Sequence, residues 1–247
     1  DAPPGSGWVA RVVSHEVGHQ WWPMQTATNE AREPWLDEGL TEYSGARYMS
    51  EAGLRLDFGN AIVDMTTFEQ SQYANTPMPA TLPAWEYDSG YGSVVYSKTA
   101  LGLWTLENMV GTDRFRQAMA GYLTEYRFKH PTGADFRASL QRSLGPHDWF
   151  WDDFMNSTGV INYAAGPIET AGDASVAQVQ RIGEVQAPVD IRITFDDGTQ
   201  RTETWDGATT NTTFSFPATN RVRAVEIDPT GKLKAEVATG DNKAAAP

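Results

Sequence analysis

SHEVGHQWW, residues 14 to 22, is the stretch on which the reading of this chain turns. It sets two histidines four apart, with a glutamate directly after the first. On an α-helix, positions four apart differ by about 40° around the axis. His15 and His19 therefore point the same way, and two imidazole nitrogens can share one metal at roughly 2.0 to 2.1 Å. Glu16 projects from an adjoining face, where it can reach a water beside the metal without binding the metal itself, the position of a general base. A metal still needs a third ligand, and two histidines on a polar helix face are the plain alternative.

Composition narrows the chemistry. The chain has 247 residues and no cysteine, which excludes disulfides, thiolate-bound metal and a cysteine nucleophile. Any transition-metal site must be built from histidine and carboxylate. Hydrophobic residues make up 40% and charged residues 21%, with a mean hydropathy of -0.47, the balance of a soluble globular protein. No apolar run is long enough to span a bilayer. The formal net charge of -13 argues against a nucleic-acid partner, because an acidic surface repels a phosphate backbone.

Along the chain, apolar residues recur at helical spacing from Trp8 to about Leu144. The His15/His19 row predicts a helix ending near Trp22, since Pro23 disfavours helical geometry in the residue before it. Pro34 suits the first turn of a second helix, Trp35 to about Met49. Further helices are expected at Phe58 to Gln70, Tyr91 to Met109, Asp113 to Tyr126, Ala134 to Ser143 and His147 to Asn156, with Thr112 as an N-cap. The proline-dotted TPMPATLPAWEYDSG, residues 76 to 90, reads as a long loop. After TGVINYAAGPIETAGDAS the pattern changes to period two, with VDIRITF, TETW, TFSF and VRAVEI separated by turn signals. The expected architecture is α+β: a mainly helical lobe over residues 1–160, then a small β-sandwich over 173–240 with a frayed DNKAAAP tail.

The second helix opens EPWLDEGLTEY, and its Glu38 lies 18 intervening residues beyond His19, enough to close one helix, make a loop and start a packed neighbour. An HEVGH helix followed at that spacing by WLDEG resembles the gluzincin zinc peptidases, specifically the aminopeptidase N family. The resemblance implies a thermolysin-like helical lobe holding one zinc ion per chain, with His15, His19 and Glu38 as ligands, Glu16 as general base and a peptide as substrate. Trp21 and Trp22 match the family's habit after the second histidine, and Asn29 and Glu30 look like its bacterial members. That bacterial look is compatible with a secreted or envelope protein, though no residue demands it. The segment DSGYGSVVYSKTALGLW resembles the family's tyrosine helix, which makes Tyr96 the expected oxyanion donor. Tyr91 is a second candidate donor, and Asp88 sits at the mouth of the same helix.

The chain departs from the family in three places. Thr99 stands where a glycine usually follows the lysine. Gly45 stands where many relatives carry a carboxylate supporting a histidine ligand, so Glu42 or a backbone carbonyl must orient the imidazole. No segment before His15 resembles the family's glycine-alanine-methionine-glutamate-asparagine strand, whose glutamate grips the substrate amine, and the chain is therefore expected to be a piece of a larger enzyme. A zinc endopeptidase of thermolysin type and a non-catalytic, zinc-stabilised interaction module are the competing readings. His130 and His147, outside any ligand-spaced group, read as surface or capping residues.

Overall fold

A computed structural model of the chain describes residues 6–73 and 78–246. It divides into two compact units, Asp1–Thr158 and Gly159–Pro247.

The first unit is helical. Helix α1 (Ser6–Gly18) is followed by turns, a single 3-10 turn (Pro34–Leu36) and α2 (Glu38–Glu51). A two-stranded hairpin, β1 (Leu56–Asp57) with β2 (Ile62–Val63), leads into α3 (Met65–Tyr73). After the loop come a π-helical segment (Gly92–Lys98), α4 (Thr99–Val110), α5 (Thr112–Tyr126) and α6 (Gly133–Leu144), then a second π-helical segment (Trp149–Met155).

Helix α4 is buried along Thr99–Glu107 on every side, which makes it the lobe's central helix. Its one buried acid, Glu107, accepts from the Tyr43 hydroxyl at 2.9 Å and pairs with Arg47 Nε at 2.8 Å, so α2 is tied to α4 by a partnered charge. Helix α6 begins with a capping box, in which Thr132 Oγ1 accepts from the Asp135 amide and the Asp135 carboxylate accepts from the Thr132 amide. Among the described residues no helix is long and apolar enough to cross a membrane.

The second unit is all β. An antiparallel three-stranded sheet has the order β3 (Tyr163–Ala171), β4 (Ala174–Arg181), β7 (Asn211–Pro217), and a four-stranded one the order β6 (Gln200–Trp205), β5 (Val189–Phe195), β8 (Val222–Ile227), β9 (Lys243–Ala245). Strand β5 alternates buried and half-buried residues along VDIRITF, as a strand with one face on a core must. The two sheets face each other, with Phe195 of β5 edge-on to Phe216 of β7 at 5.0 Å and Ser175 Oγ of β4 accepting from the Val222 amide of β8.

The structure corrects several sequence expectations. Regular helix α1 stops at Gly18 and turns occupy residues 19–26, because the Trp22 carbonyl faces sideways to accept from Thr41 Oγ1 and His19 Nδ1. The helix expected at Phe58 starts only at Met65, its first residues being taken by the hairpin. Thr112 is not a cap: the link is Gly111 at φ 92°, and Thr112 is the first helical residue. In the long loop, Thr76 and Pro77 lie outside the described residues.

Strands begin at Tyr163 rather than near 173, since YAAGPIETA lacks β-branched alternation and carries a bulge between Ala165 and Ile168. The DNKAAAP tail, apart from Pro247 outside the described residues, is not frayed, because Lys243–Ala245 pairs with β8.

Candidate metal centre

Three close helix approaches build the site. At Gly18 an added Cβ would meet Thr41 Cγ2 at 3.0 Å, and at Gly45 it would meet Ser14 Oγ at 3.3 Å, so α1 and α2 lie nearly backbone to backbone. At Gly39 the added Cβ would sit 2.4 Å from Thr99 Cγ2 and 2.7 Å from the Val95 carbonyl oxygen, which brings α2 against the segment carrying Tyr96. Thr99 is buried in this contact. Gly39→Ala is expected to cost about 1–3 kcal/mol by overpacking. For a unit of this size that lowers Tm by about 2–12 °C in thermal unfolding. A variant melting with the wild type would show that the helices do not meet this closely.

His15, on the last turn of α1, is 8% exposed. His19 lies just past the regular helix, but its amide still bonds to the His15 carbonyl at 3.2 Å, which preserves the helical row. The two rings meet edge-on with centroids 4.8 Å apart. Glu38, the first residue of α2, aims Oε2 between them, 3.1 Å from His15 Nε2 and 3.3 Å from His19 Nε2. Among the described residues this is the group of three potential metal-ligating side chains whose donor atoms converge, all within 4.8 Å of one another.

Zinc bonds of the usual length at tetrahedral angles separate neighbouring ligand atoms by about 3.3 Å. The observed spacings fit that requirement. Two histidines and one carboxylate leave a fourth position free, the pattern of catalytic rather than closed structural zinc.

Both far-side nitrogens are held. His15 Nδ1 donates to Glu42 Oε2 at 2.7 Å, so Glu42 takes the supporting role that Gly45 cannot. His19 Nδ1 donates to the Trp22 carbonyl at 2.7 Å and stands 2.8 Å from Asp37 Oδ1. Asp37 is a site residue the sequence reasoning passed over, although WLDEG places it beside Glu38. Burial pulls the His15 imidazole down, but the Glu38 and Glu42 carboxylates more than reverse this and carry it up to about 9. The field that holds a proton there favours a dication for the same reason.

Tyr96, on the first π-helical segment, stacks on His15 at 5.5 Å and hydrogen-bonds to Glu38. Burial, then the Glu38 hydrogen bond and charge, push its phenol well above the ordinary value, so it remains a neutral donor at physiological pH. Tyr91 lies edge-on to Tyr96 at 6.2 Å. The segment is anchored by Lys98, 1% exposed, whose Nζ donates to the carbonyls of Met78 at 2.9 Å and Ser157 at 2.7 Å. Burial pulls this ammonium down to about 7.

Glu16 is exposed on α1 beside His15, and Asp88 is exposed in the loop. Trp22 is buried and stacks on Tyr122 at 6.1 Å, whereas Trp21 stays 44% exposed. Asn29 Oδ1 accepts from the Arg32 amide, a local turn, and Glu30 is exposed. His130, exposed, has Nδ1 at 2.9 Å from the Ala27 carbonyl, and His147 is half-buried at the start of the last helical segment.

Residues 5–157, more than half of the chain, match the peptidase family M1 domain. The chain belongs to peptidase family M1. Relatives include a probable aminopeptidase 2 of Sulfurisphaera tokodaii, 28% identical over 157 residues, covering 59% of this chain and 20% of that protein. The glutamyl aminopeptidase of Bos taurus is 28% identical over 158 residues, covering 61% of this chain and 16% of that protein. The chain thus spans about a fifth of the length of these M1 relatives. In fold it is similar to Legionella pneumophila aminopeptidase A, crystallised with aspartic acid, at a TM-score of 0.62 and 19% identity, covering 92% of this chain and 26% of that one. The M1 assignment implies zinc, and the converging His15, His19 and Glu38 are suited to hold it.

Proposed function

We propose that this chain carries the zinc centre of an aminopeptidase, with one zinc ion per chain held by His15, His19 and Glu38. The single observation that carries the reading is the placement of Glu38 Oε2 within 3.3 Å of both imidazole Nε2 atoms, each ring being held from behind. M1 relatives named as aminopeptidases support a peptide substrate cut at its N-terminal residue.

Zinc, when bound, supplies Lewis acidity that polarises a carbonyl and lowers the pKa of water to about 7. The chain's residues do the rest. Glu16, free of any ligand role, takes the proton of the attacking water and delivers it to the leaving amine. The Tyr96 hydroxyl donates to the developing oxyanion, a donor that carries no charge before the reaction. Beside Tyr96 a recess of about 410 Å³, lined in part by Gly90, Gly92 and Ser93, offers room for a substrate side chain. A larger apolar groove, about 940 Å³, runs along Val9, Val13, Val17 and Trp21 and contains none of the ligand residues.

Elemental analysis of the purified protein is expected to give one zinc per chain, with free-amine peptides cut and N-terminally blocked ones spared. Equal cleavage of both would replace the aminopeptidase reading with an endopeptidase. Absence of zinc after reconstitution would remove the metal centre altogether.

A further inference from the structure

Behind His15 the structure buries more carboxyl groups than one ligand support requires. Glu42 is 1% exposed and Glu69, from α3, is fully buried. Among the described residues Arg11 faces both, its Nη2 donating to Glu42 Oε1 at 2.6 Å and standing 3.8 Å from Glu69 Oε1, outside hydrogen-bond reach, while the His15 imidazole meets Glu42. Neither Glu69 oxygen has a donor in good hydrogen-bond geometry, and the groups against it are the Glu42 carboxyl and the Ser97 hydroxyl.

Two ionised carboxylates in contact inside a protein repel strongly, and an arginine and a histidine that both bond to Glu42 leave the charge of Glu69 uncompensated. A proton on one acid converts the clash into a hydrogen bond. The geometry decides which acid keeps it. Glu42 accepts from Arg11 on Oε1 and from His15 on Oε2, two contacts that favour a carboxylate, whereas Glu69 faces the Ser97 hydroxyl out of good geometry and the Arg11 guanidinium at 3.8 Å. Burial and the neighbouring Glu42 charge push Glu69 well above the usual carboxylate range, in agreement.

We infer that Glu69, as a neutral acid donating to Glu42, is the positioning residue that fixes the Glu42 carboxylate and through it the His15 imidazole. The inference rests on the zinc reading of the site. Arg11 holds Glu42 on one oxygen and Glu69 braces the same carboxylate, so the second oxygen is left to His15 Nδ1–H and Nε2 stays aimed at the ligand cluster. A layer of this kind suits a chain in which Gly45 replaces the usual supporting carboxylate.

The test compares zinc affinity, by chelator competition on the full chain, among three substitutions. Glu69→Gln keeps a neutral donor of the same shape and is expected to bind zinc within about threefold of wild type. Glu69→Leu removes the donor and is expected to weaken zinc by about 10–100-fold, the usual effect of losing an outer partner. Adding Glu69→Leu to Glu42→Gln is expected to cost nothing further, because the effect passes through Glu42. Full affinity in a folded Glu69→Leu variant, equal losses in Gln and Leu, or additive losses in the double variant would each overturn the inference.

Infrared difference spectroscopy of the metal-free chain at neutral pH supplies a readout that packing alone would not move. A carboxylic-acid carbonyl band is expected in wild type and missing in Glu69→Gln, with bands from acids elsewhere in the chain cancelling in the difference. No such band means that Glu69 is ionised and the inference fails. That arm holds even if Glu69→Leu does not fold. A wild-type chain that takes up no zinc while showing the band overturns the metal reading and not the Glu69 proton.

Discussion

His19→Ala is expected to abolish stoichiometric zinc binding while leaving the helical lobe folded. The ring is one of three converging donors, and among the described residues no further side chain joins that group. Asp37 Oδ1 stands on the Nδ1 side, away from the Nε2 edge where Glu38 lies. Loss of an outer partner alone costs about 10–100-fold in affinity, so loss of a direct ligand should exceed that. The ring is also only partly buried, with 18% of its side chain exposed, so its removal opens no deep core cavity.

The linked measurement is thermal. A ligand at a thousand times its Kd stabilises the folded state by about 4 kcal/mol. For a unit of this size that raises Tm by about 8–16 °C. Saturating zinc should therefore raise the wild-type melting temperature by that order and leave His19→Ala unmoved. A His19→Ala chain that retains one zinc per molecule after dialysis would show that the metal is held elsewhere.

Glu16→Gln is expected to separate metal from turnover. The substitution keeps size and polarity but removes the ability to take a proton. Glu16 is exposed and lies outside the ligand cluster, so zinc content should stay at the wild-type level. Proton transfer by a positioned side chain contributes about 10²–10⁴-fold to rate, and kcat on a free-amine peptide should fall by that amount with KM little changed. Undiminished kcat at full zinc occupancy would mean that another group is the base.

Much of the site was legible in the sequence because its logic is local. His15, Glu16 and His19 sit within two helical turns, and the step to Glu38 is the length of a loop and a helix start. Tyr96 was found only through resemblance, since one tyrosine on an apolar helix carries no spacing signal. The supporting layer was harder to see. Arg11, Glu42 and Glu69 lie on three different helices, and no periodicity links them. One signal was present in MTTFEQSQY: Glu69 falls between Met65 and Tyr73 at i, i+4, i+8, an acid in the middle of the buried stripe.

The β unit divides the same way. VDIRITF and VRAVEI coincide with β5 and β8 because β-branched alternation is written in the chain. Strand β3 and the tail strand β9 are alanine-rich and take their state from a partner strand's hydrogen bonds.

By itself the sequence offered His15 and His19 as candidate metal donors, divided the chain into helical and β-rich parts and excluded thiol chemistry, all from residue type and short-range spacing. Glu38 entered as a ligand candidate through the resemblance of WLDEG to a family motif. Only the tertiary structure decided that α1 ends at Gly18, that Tyr96 sits on a π-helical segment against Glu38, and that a second buried acid stands behind Glu42. Those features depend on how closely helices approach at Gly18, Gly39 and Gly45 and on which buried polar groups meet when they do. Such distances are set by packing between segments remote in the chain, and no local pattern encodes them.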